Sequence, residues 1–202
     1  SLTIVDGQKG LPTERPPLSK SAIVNGINEN YCIPLLKPEN WYLENDIDLK
    51  TGITVTSIDK DAREVNLSNK NTIAYTTLVI ATGAIPIELE ITQKHPQSFT
   101  LRTSKDAKEI SRAASIFKSA LIIGCGYIGL EVAASLTERG LKVTVLESEG
   151  RPLAKISSPV IAEKLVEIHE RRGVKFQFNN AVVKVDHFNT EFRALLQTGG
   201  YE

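Results

Sequence analysis

The chain has 202 residues, of which 41% are hydrophobic and 24% charged. That is ordinary for a globular protein and long enough for one large domain or two small ones. Lys+Arg and Asp+Glu number 24 each, so no basic excess points to nucleic acid and no acidic excess to a solvating tail.

In chain order, residues 2–5 read as a short strand. Residues 7–20 are loop-rich, with Pro12, Pro16 and Pro17 blocking regular structure. Residues 38–44 suit one or two helical turns opening at a proline. Short alternating runs at 53–58, 64–67, 72–75 and 78–81 read as small strands between polar turns. The character then changes. Thr103 and Asp106 form a helix-start signature, and Ala107, Ile110, Ala113, Ala114 and Phe117 follow at helical spacing. A buried strand is expected at 120–123, a helix at 127–139 stopped by Gly140, a strand at 142–147, and a helix at 159–172 stopped by Gly173. Strands at 174–178, 181–185 and 192–197 complete the chain. Alternating strands and helices predict a mostly parallel α/β sheet. The apolar stretch at 120–130 is too short to cross a bilayer, and the N-terminus has no signal-peptide pattern. The chain lacks methionine even at position 1, so Ser1 reads as an internal cut or a processed end.

Residues 124–129 read G-C-G-Y-I-G. Glycines in that pattern are common in turns, but this instance follows an apolar strand and opens an amphipathic helix. Glu147 also ends the next strand, close to the offset of about 20 residues at which a dinucleotide site places its acid. Gly124 permits the tight turn, Gly126 lets a pyrophosphate approach the backbone, and Gly129 allows close helix–strand packing. The helix N-terminus offers amides and partial positive charge to phosphate. Glu147 can accept hydrogen bonds from the adenosine ribose and repels a 2′-phosphate, so NADH is expected over NADPH. Arg151, just beyond the strand, is either a 2′-phosphate ligand or a solvated loop charge, and Glu147 favours the second.

Four segments together resemble the pyridine nucleotide-disulfide oxidoreductase superfamily, and within it the ferredoxin/rubredoxin reductase branch of putidaredoxin reductase-like proteins. They are E-R-P-P-L-S-K at 14–20, L-V-I-A-T-G-A at 78–84, L-R-T at 101–103 and G-C-G-Y-I-G-L-E-V-A at 124–133. The resemblance implies an FAD-dependent NAD(P)H oxidoreductase. It passes a hydride from NADH to flavin and electrons onward to a small iron–sulfur or rubredoxin-type acceptor. Other members of the same broad group imply the flavin module of a larger reductase, such as a nitrite reductase, or a non-metabolic relative of apoptosis-inducing factor. It also implies a Rossmann-like NAD(P)H-binding domain at 103–202, its last strand missing, and part of an FAD-binding α/β domain at 1–102. On this reading the chain is the middle of a longer protein, and alone it would retain FAD poorly and be inactive. The family's ribose-binding acid after an FAD-domain strand falls at Gly7 or Gln8, with Asp6 one place early.

Residue by residue, the resemblance places Arg15, Ser19 and Lys20 along the FAD pyrophosphate and flavin, and Thr82 and Gly83 against FAD at the crossing into the second domain. Lys20 reaches the flavin edge and pairs with Glu131, which makes these two the expected catalytic pair. Tyr127 lines the nicotinamide pocket. Gly124, Gly126, Gly129 and Glu147 complete the cofactor-binding set. No metal is expected, because His95, His169 and His187 are scattered without ligand spacing. His169 is expected on the polar face of its helix. Cys32 and Cys125 form neither a C-x-x-C pair nor a disulfide framework, so a reducing, cytoplasmic setting is expected, with no nucleic-acid or membrane partner. Trp41 and Tyr42 are expected to be packing residues.

Overall fold

Elements form where the side-chain pattern lets each one bury a face, and the computed structural model, which describes residues 1–92, 95–188 and 191–199, shows two contact units built that way. One unit combines Ser1–Glu14 with Pro34–Ala84, and the other combines Arg15–Ile33 with Ile85–Glu202.

In the first unit, β1 (Leu2–Asp6) pairs in parallel with β2 (Ile47–Thr51). Strands β3 (Val55–Asp59), β4 (Glu64–Leu67) and β5 (Thr72–Ala74) form an antiparallel meander. Helix α2 (Glu39–Glu44) follows Pro38, whose extended backbone serves as N-cap. Tyr42 is buried there, and the Trp41 ring meets it edge-on at 5.3 Å. Strand β2 is an addition to the sequence reading. Its Ile47 and Leu49 alternate with Asp48 and Lys50, a period-two pattern too short and too charged to stand out. The strand expected at 78–81 does not form. Among the described residues it has no paired neighbour, and Val79 and Ile80 are exposed. An apolar run without a ladder partner leaves its amides to water and forms no strand.

In the second unit, the two prolines at 16 and 17 do not give a plain loop. They open a short 3-10 helix, Pro16–Ser19, where their missing amides are harmless. Helix α1 (Ser21–Val24) follows directly. Helix α3 (Ser104–Ile116) is capped at Thr103. The Thr103 hydroxyl accepts from Asp106 N, and the Asp106 carboxylate accepts from Thr103 N at 2.7 Å and Arg102 N at 2.9 Å. Strands β6 (Ser119–Ile123), β7 (Lys142–Leu146) and β8 (Lys175–Gln177) form a parallel sheet in the order β6-β7-β8. Helices α4 (Tyr127–Glu138) and α5 (Pro159–Glu170) connect them. The central strand is the most buried, with Val143, Val145 and Leu146 nearly inaccessible. Strand β6 is at the sheet edge and only half-buried, whereas the sequence suggested a buried strand. The hairpin β9 (Val182–Phe188) and β10 (Glu191–Leu196) packs Ala194 and Leu196 against Leu146.

Contacts do not divide the chain at residue 103, where the sequence pattern changes. Leu18, Ala22 and Ile33 cluster with Ala107 of α3, and Ile23 joins the core of Ile110, Leu130, Ala133 and Val143. Segment 15–33 therefore packs with the β6–β8 sheet unit.

Thr103→Ala removes half of a reciprocal cap on the helix that buries this segment. It should lower unfolding stability by about 1 kcal/mol, read as a shifted urea midpoint at constant slope.

Candidate functional site

The end of β6 turns at Gly124, whose φ of +100° is a left-handed value that L side chains rarely adopt. Its amide donates to the Leu146 carbonyl at 2.8 Å, which ties the turn to β7. A Cβ at Gly129 would sit 2.1 Å from the Gly124 carbonyl oxygen, so helix and turn approach as closely as glycine allows. Gly126 differs. It is the N-cap of α4, without a capping side chain, and a Cβ there would meet nothing within 4 Å. Among the described residues no contact demands a glycine at 126, whereas a ligand lying on the backbone would. Tyr127 and Ile128 open α4 with exposed side chains. The first-turn amides of a helix lack intrahelical acceptors and favour an anion. Turn and helix end therefore fit a dinucleotide pyrophosphate.

Glu147 lies just beyond β7 and locks onto this turn. Its Oε2 accepts from Cys125 N at 2.8 Å, and its Oε1 accepts from Glu149 N at 2.9 Å and the Ser148 hydroxyl at 3.1 Å. Burial pushes its pKa up, but the backbone bonds from Glu149 and Cys125 and the Ser148 bonds outweigh it and leave the carboxyl below its ordinary value. Oε1 takes two of these bonds and Oε2 only one, so Oε2 is the oxygen with acceptor capacity left for a ribose hydroxyl. The Cys125 thiol faces the opposite situation. Burial first, and the Glu147 charge second, push it up to about 12. A thiol held protonated in the core is a poor nucleophile.

Arg151 is not a freely solvated charge, because two of its five N–H donors are taken within its own loop. Its Nη1 donates to the Ser157 carbonyl at 2.8 Å and its Nη2 to the Ala154 carbonyl at 2.7 Å, folding loop 151–157 on itself. Within that loop Leu153 has φ of +52°, yet its side chain is buried in the core and its amide donates to the Cys125 carbonyl.

Further along α4, Lys20 Nζ lies 2.8 Å from Glu131 Oε1, so the two residues expected to pair are together. The Ser19 hydroxyl donates to Glu131 Oε2 at 2.5 Å. Burial raises the Glu131 pKa, and the bonds from Lys20 and Ser19 with the Lys20 charge bring it below its ordinary value. For both carboxylates the folded pKa is depressed. Each stabilises the fold above its unfolded pKa, and that contribution disappears as pH falls through the folded value.

The other expected residues have surroundings of their own. Arg15 donates from Nη1 to the Arg102 carbonyl at 2.6 Å. Thr82 and Gly83 belong to the first contact unit, on an exposed segment. The Asp6 carboxylate accepts from Gln8 N at 2.9 Å. His169 departs from its expected polar face. It is buried, its ring nitrogens lie 2.8 Å from the Leu165 carbonyl and 3.1 Å from the Leu130 carbonyl, and it packs on Phe176. With a carbonyl beside each ring nitrogen, the N–H of either tautomer has an acceptor at this interior position. Cys32 is exposed. Among the described residues no cluster of three or more His, Cys, Asp or Glu is placed to hold a metal ion, and no helix is long and apolar enough to cross a membrane.

The sequence reading missed Ser135 and Arg139. The Ser135 hydroxyl donates to the Ser19 carbonyl at 2.7 Å, and Arg139 Nη1 donates to the Ile23 carbonyl at 2.8 Å. With Glu131 they stand at four-residue spacing on α4, the period that aligns side chains on one helix face.

All of residues 1–202 match the family described as pyridine nucleotide-disulphide oxidoreductase. The chain belongs to this family. Its fold matches a ferredoxin reductase for the CYP199A2 system from Rhodopseudomonas palustris, with TM-score 0.91 and 28% identity over 99% of this chain and 49% of that one. It also matches the reductase of a covalent putidaredoxin reductase–putidaredoxin complex, with TM-score 0.89 and 28% identity over 98% and 49%. An NADH:rubredoxin oxidoreductase from Clostridium acetobutylicum gives TM-score 0.74 and 28% identity over 88% and 46%. The chain thus spans about half the length of these solved relatives.

The two helix-side glycines separate packing from binding. Gly129→Ala should destabilise the fold, because the added methyl meets backbone. Gly126→Ala should keep the wild-type melting temperature yet weaken ADP-ribose binding at least tenfold, measured by calorimetry beside a thermal melt. Equal ADP-ribose affinity in Gly126→Ala would remove the pyrophosphate from this turn.

Proposed function

We propose that this chain is the nucleotide-handling part of an FAD-dependent NAD(P)H oxidoreductase that prefers NADH and delivers electrons to a ferredoxin- or rubredoxin-type protein. One observation carries the reading: the helix that opens at the glycine turn also bears Glu131, paired with Lys20 at 2.8 Å. Held by these residues, NAD(P)H would supply hydride chemistry and FAD the conversion to single-electron delivery.

The chain's own residues supply position and charge. The 124–129 turn holds the pyrophosphate of the dinucleotide, and Tyr127 lines the approach to the nicotinamide. Lys20 places a cation where negative charge grows as the flavin is reduced, and Glu131 keeps that cation from swinging into solvent. By family resemblance Arg15 is read as an FAD contact, and so, separately, are Thr82 and Gly83, with residues 1–102 as the flavin side and 103–202 as the NAD(P)H side. The electron acceptor is inferred from relatives at 28% identity, one of them in a complex with putidaredoxin and another named for rubredoxin.

Glu147 sets the cofactor preference. Its depressed pKa keeps it charged at neutral pH, and a 2′-phosphate would face that charge. A charged hydrogen bond is worth about 1.5–3 kcal/mol, and each ~1.4 kcal/mol is tenfold, so NADH should be favoured by at least about tenfold. Arg151 does not counter this, because its guanidinium is engaged by the Ala154 and Ser157 carbonyls.

The test is kcat/KM for NADH and NADPH in the FAD-loaded, full-length protein with a ferredoxin-type acceptor, at fixed ionic strength. Glu147→Gln should shrink the preference mainly by improving NADPH. Arg151→Ala should affect both cofactors alike. A wild-type preference for NADPH, or no NADH-dependent electron delivery at all, contradicts the reading.

A further inference from the structure

Ser19 and Lys20 are consecutive, yet both side chains reach the same carboxylate. In a continuous helix, neighbouring side chains point about 100° apart. Here the backbone breaks between the 3-10 helix and α1: Lys20 has φ −118° and ψ −108°, outside the helical region. That break lets Lys20 Nζ take Glu131 Oε1 at 2.8 Å while the Ser19 hydroxyl takes Oε2 at 2.5 Å. Exposure differs sharply along the cluster. Ser19 is 2% exposed, whereas the Lys20 side chain is 51% exposed. The serine is the buried member and the lysine the exposed one, its Nζ also donating to the Pro16 carbonyl at 3.3 Å. The Ser19 carbonyl is itself held by the Ser135 hydroxyl, one turn further along α4 from Glu131. Arg139, a further turn along, holds the Ile23 carbonyl, and the Ser111 hydroxyl donates to that same carbonyl at 3.1 Å.

We propose that Ser19 is a positioning residue for Lys20 and acts through Glu131. Its hydroxyl pins one carboxylate oxygen, so the other points at the lysine. The stripe Glu131, Ser135 and Arg139 keeps the segment carrying both residues in register with α4. Ser19 then contributes to the flavin site by orienting the ion pair rather than by touching FAD with its hydroxyl. This rests on the reading of Lys20 and Glu131 as a flavin-side pair. The groups around the carboxylate fit the role. Ser19 and Lys20 both donate to it and hold it ionised despite burial, and its two neighbours on the stripe are a neutral hydroxyl and a guanidinium already engaged by Ile23, Ser111 and Ser115.

The experiment follows the Glu131 side-chain carboxyl by ¹³C NMR across a pH titration of this chain. Ser19→Ala should move its midpoint upward, and Ser19→Thr, which restores a hydroxyl, should return it toward wild type. Ser19→Cys serves if alanine folds poorly, since it fills the same space with a weak donor and should also move the midpoint upward. Ser135→Ala should lower stability without moving the midpoint. In the FAD-loaded protein, Ser19→Ala should slow the limiting rate of flavin reduction by up to about tenfold with KM for NADH unchanged, and Ser19→Thr should recover it. An unchanged Glu131 midpoint in folded Ser19→Ala or Ser19→Cys overturns the role of Ser19. Lys20→Met tests the underlying reading separately: unchanged flavin reduction there removes the pair from the flavin site, and the positioning role with it.

Discussion

Helix α4 sits where it does because residue 129 has no side chain. A methyl there would overlap the Gly124 carbonyl oxygen, so any larger residue would drive helix and turn apart. Glycine inside a helix costs roughly 1 kcal/mol relative to alanine. The close approach offsets that cost by letting Leu130, Ala133 and Leu136 bury in the core around Val143 and Val145. Two arrangements then depend on one helix. Its N-terminus completes the glycine turn, and its stripe of Glu131, Ser135 and Arg139, spaced four residues apart, receives the segment that carries Ser19 and Lys20.

Magnitudes show which of these interactions supports the others. A partly exposed ion pair such as Lys20–Glu131 is worth about 0.2–1 kcal/mol. Burying one large aliphatic side chain is worth about 1.5–3 kcal/mol, and Leu18, Ile23 and Ile33 are all buried in this segment. Apolar packing therefore docks the segment onto α3 and α4, and the ion pair follows from that docking. The same ordering applies at Leu153. Its left-handed backbone is a strained conformation for a leucine, and core burial with the Arg151 bonds to the loop carbonyls holds it.

Much of this was legible in the sequence, for identifiable reasons. The α/β alternation, the Thr103 cap, the glycine turn and Glu147 are local signals, each contained within a few residues or one strand–helix–strand span. The Lys20–Glu131 contact joins residues far apart in the chain and was reached only through family resemblance. What escaped the sequence depends on tertiary partners. The run at 78–81 looks like a strand but has no ladder neighbour among the described residues. His169 looks like a helix surface residue until the Leu130 carbonyl is seen above it. Arg151 looks like a free cation until the loop carbonyls close on it. Ser135 and Arg139 did leave a trace, the spacing of four from Glu131, which gains meaning only once the segment they hold is known.

A dinucleotide is proposed to lie on the N-terminal end of α4 and on Glu147. Amide chemical-shift mapping of this chain with ADP-ribose tests it most directly. The account predicts the largest, saturable shifts at Cys125, Gly126, Tyr127, Ile128 and the amides of Ser148 and Glu149, with the β3–β4 hairpin of the first unit unaffected. Saturable shifts centred on that hairpin, or none at the glycine turn, would contradict it.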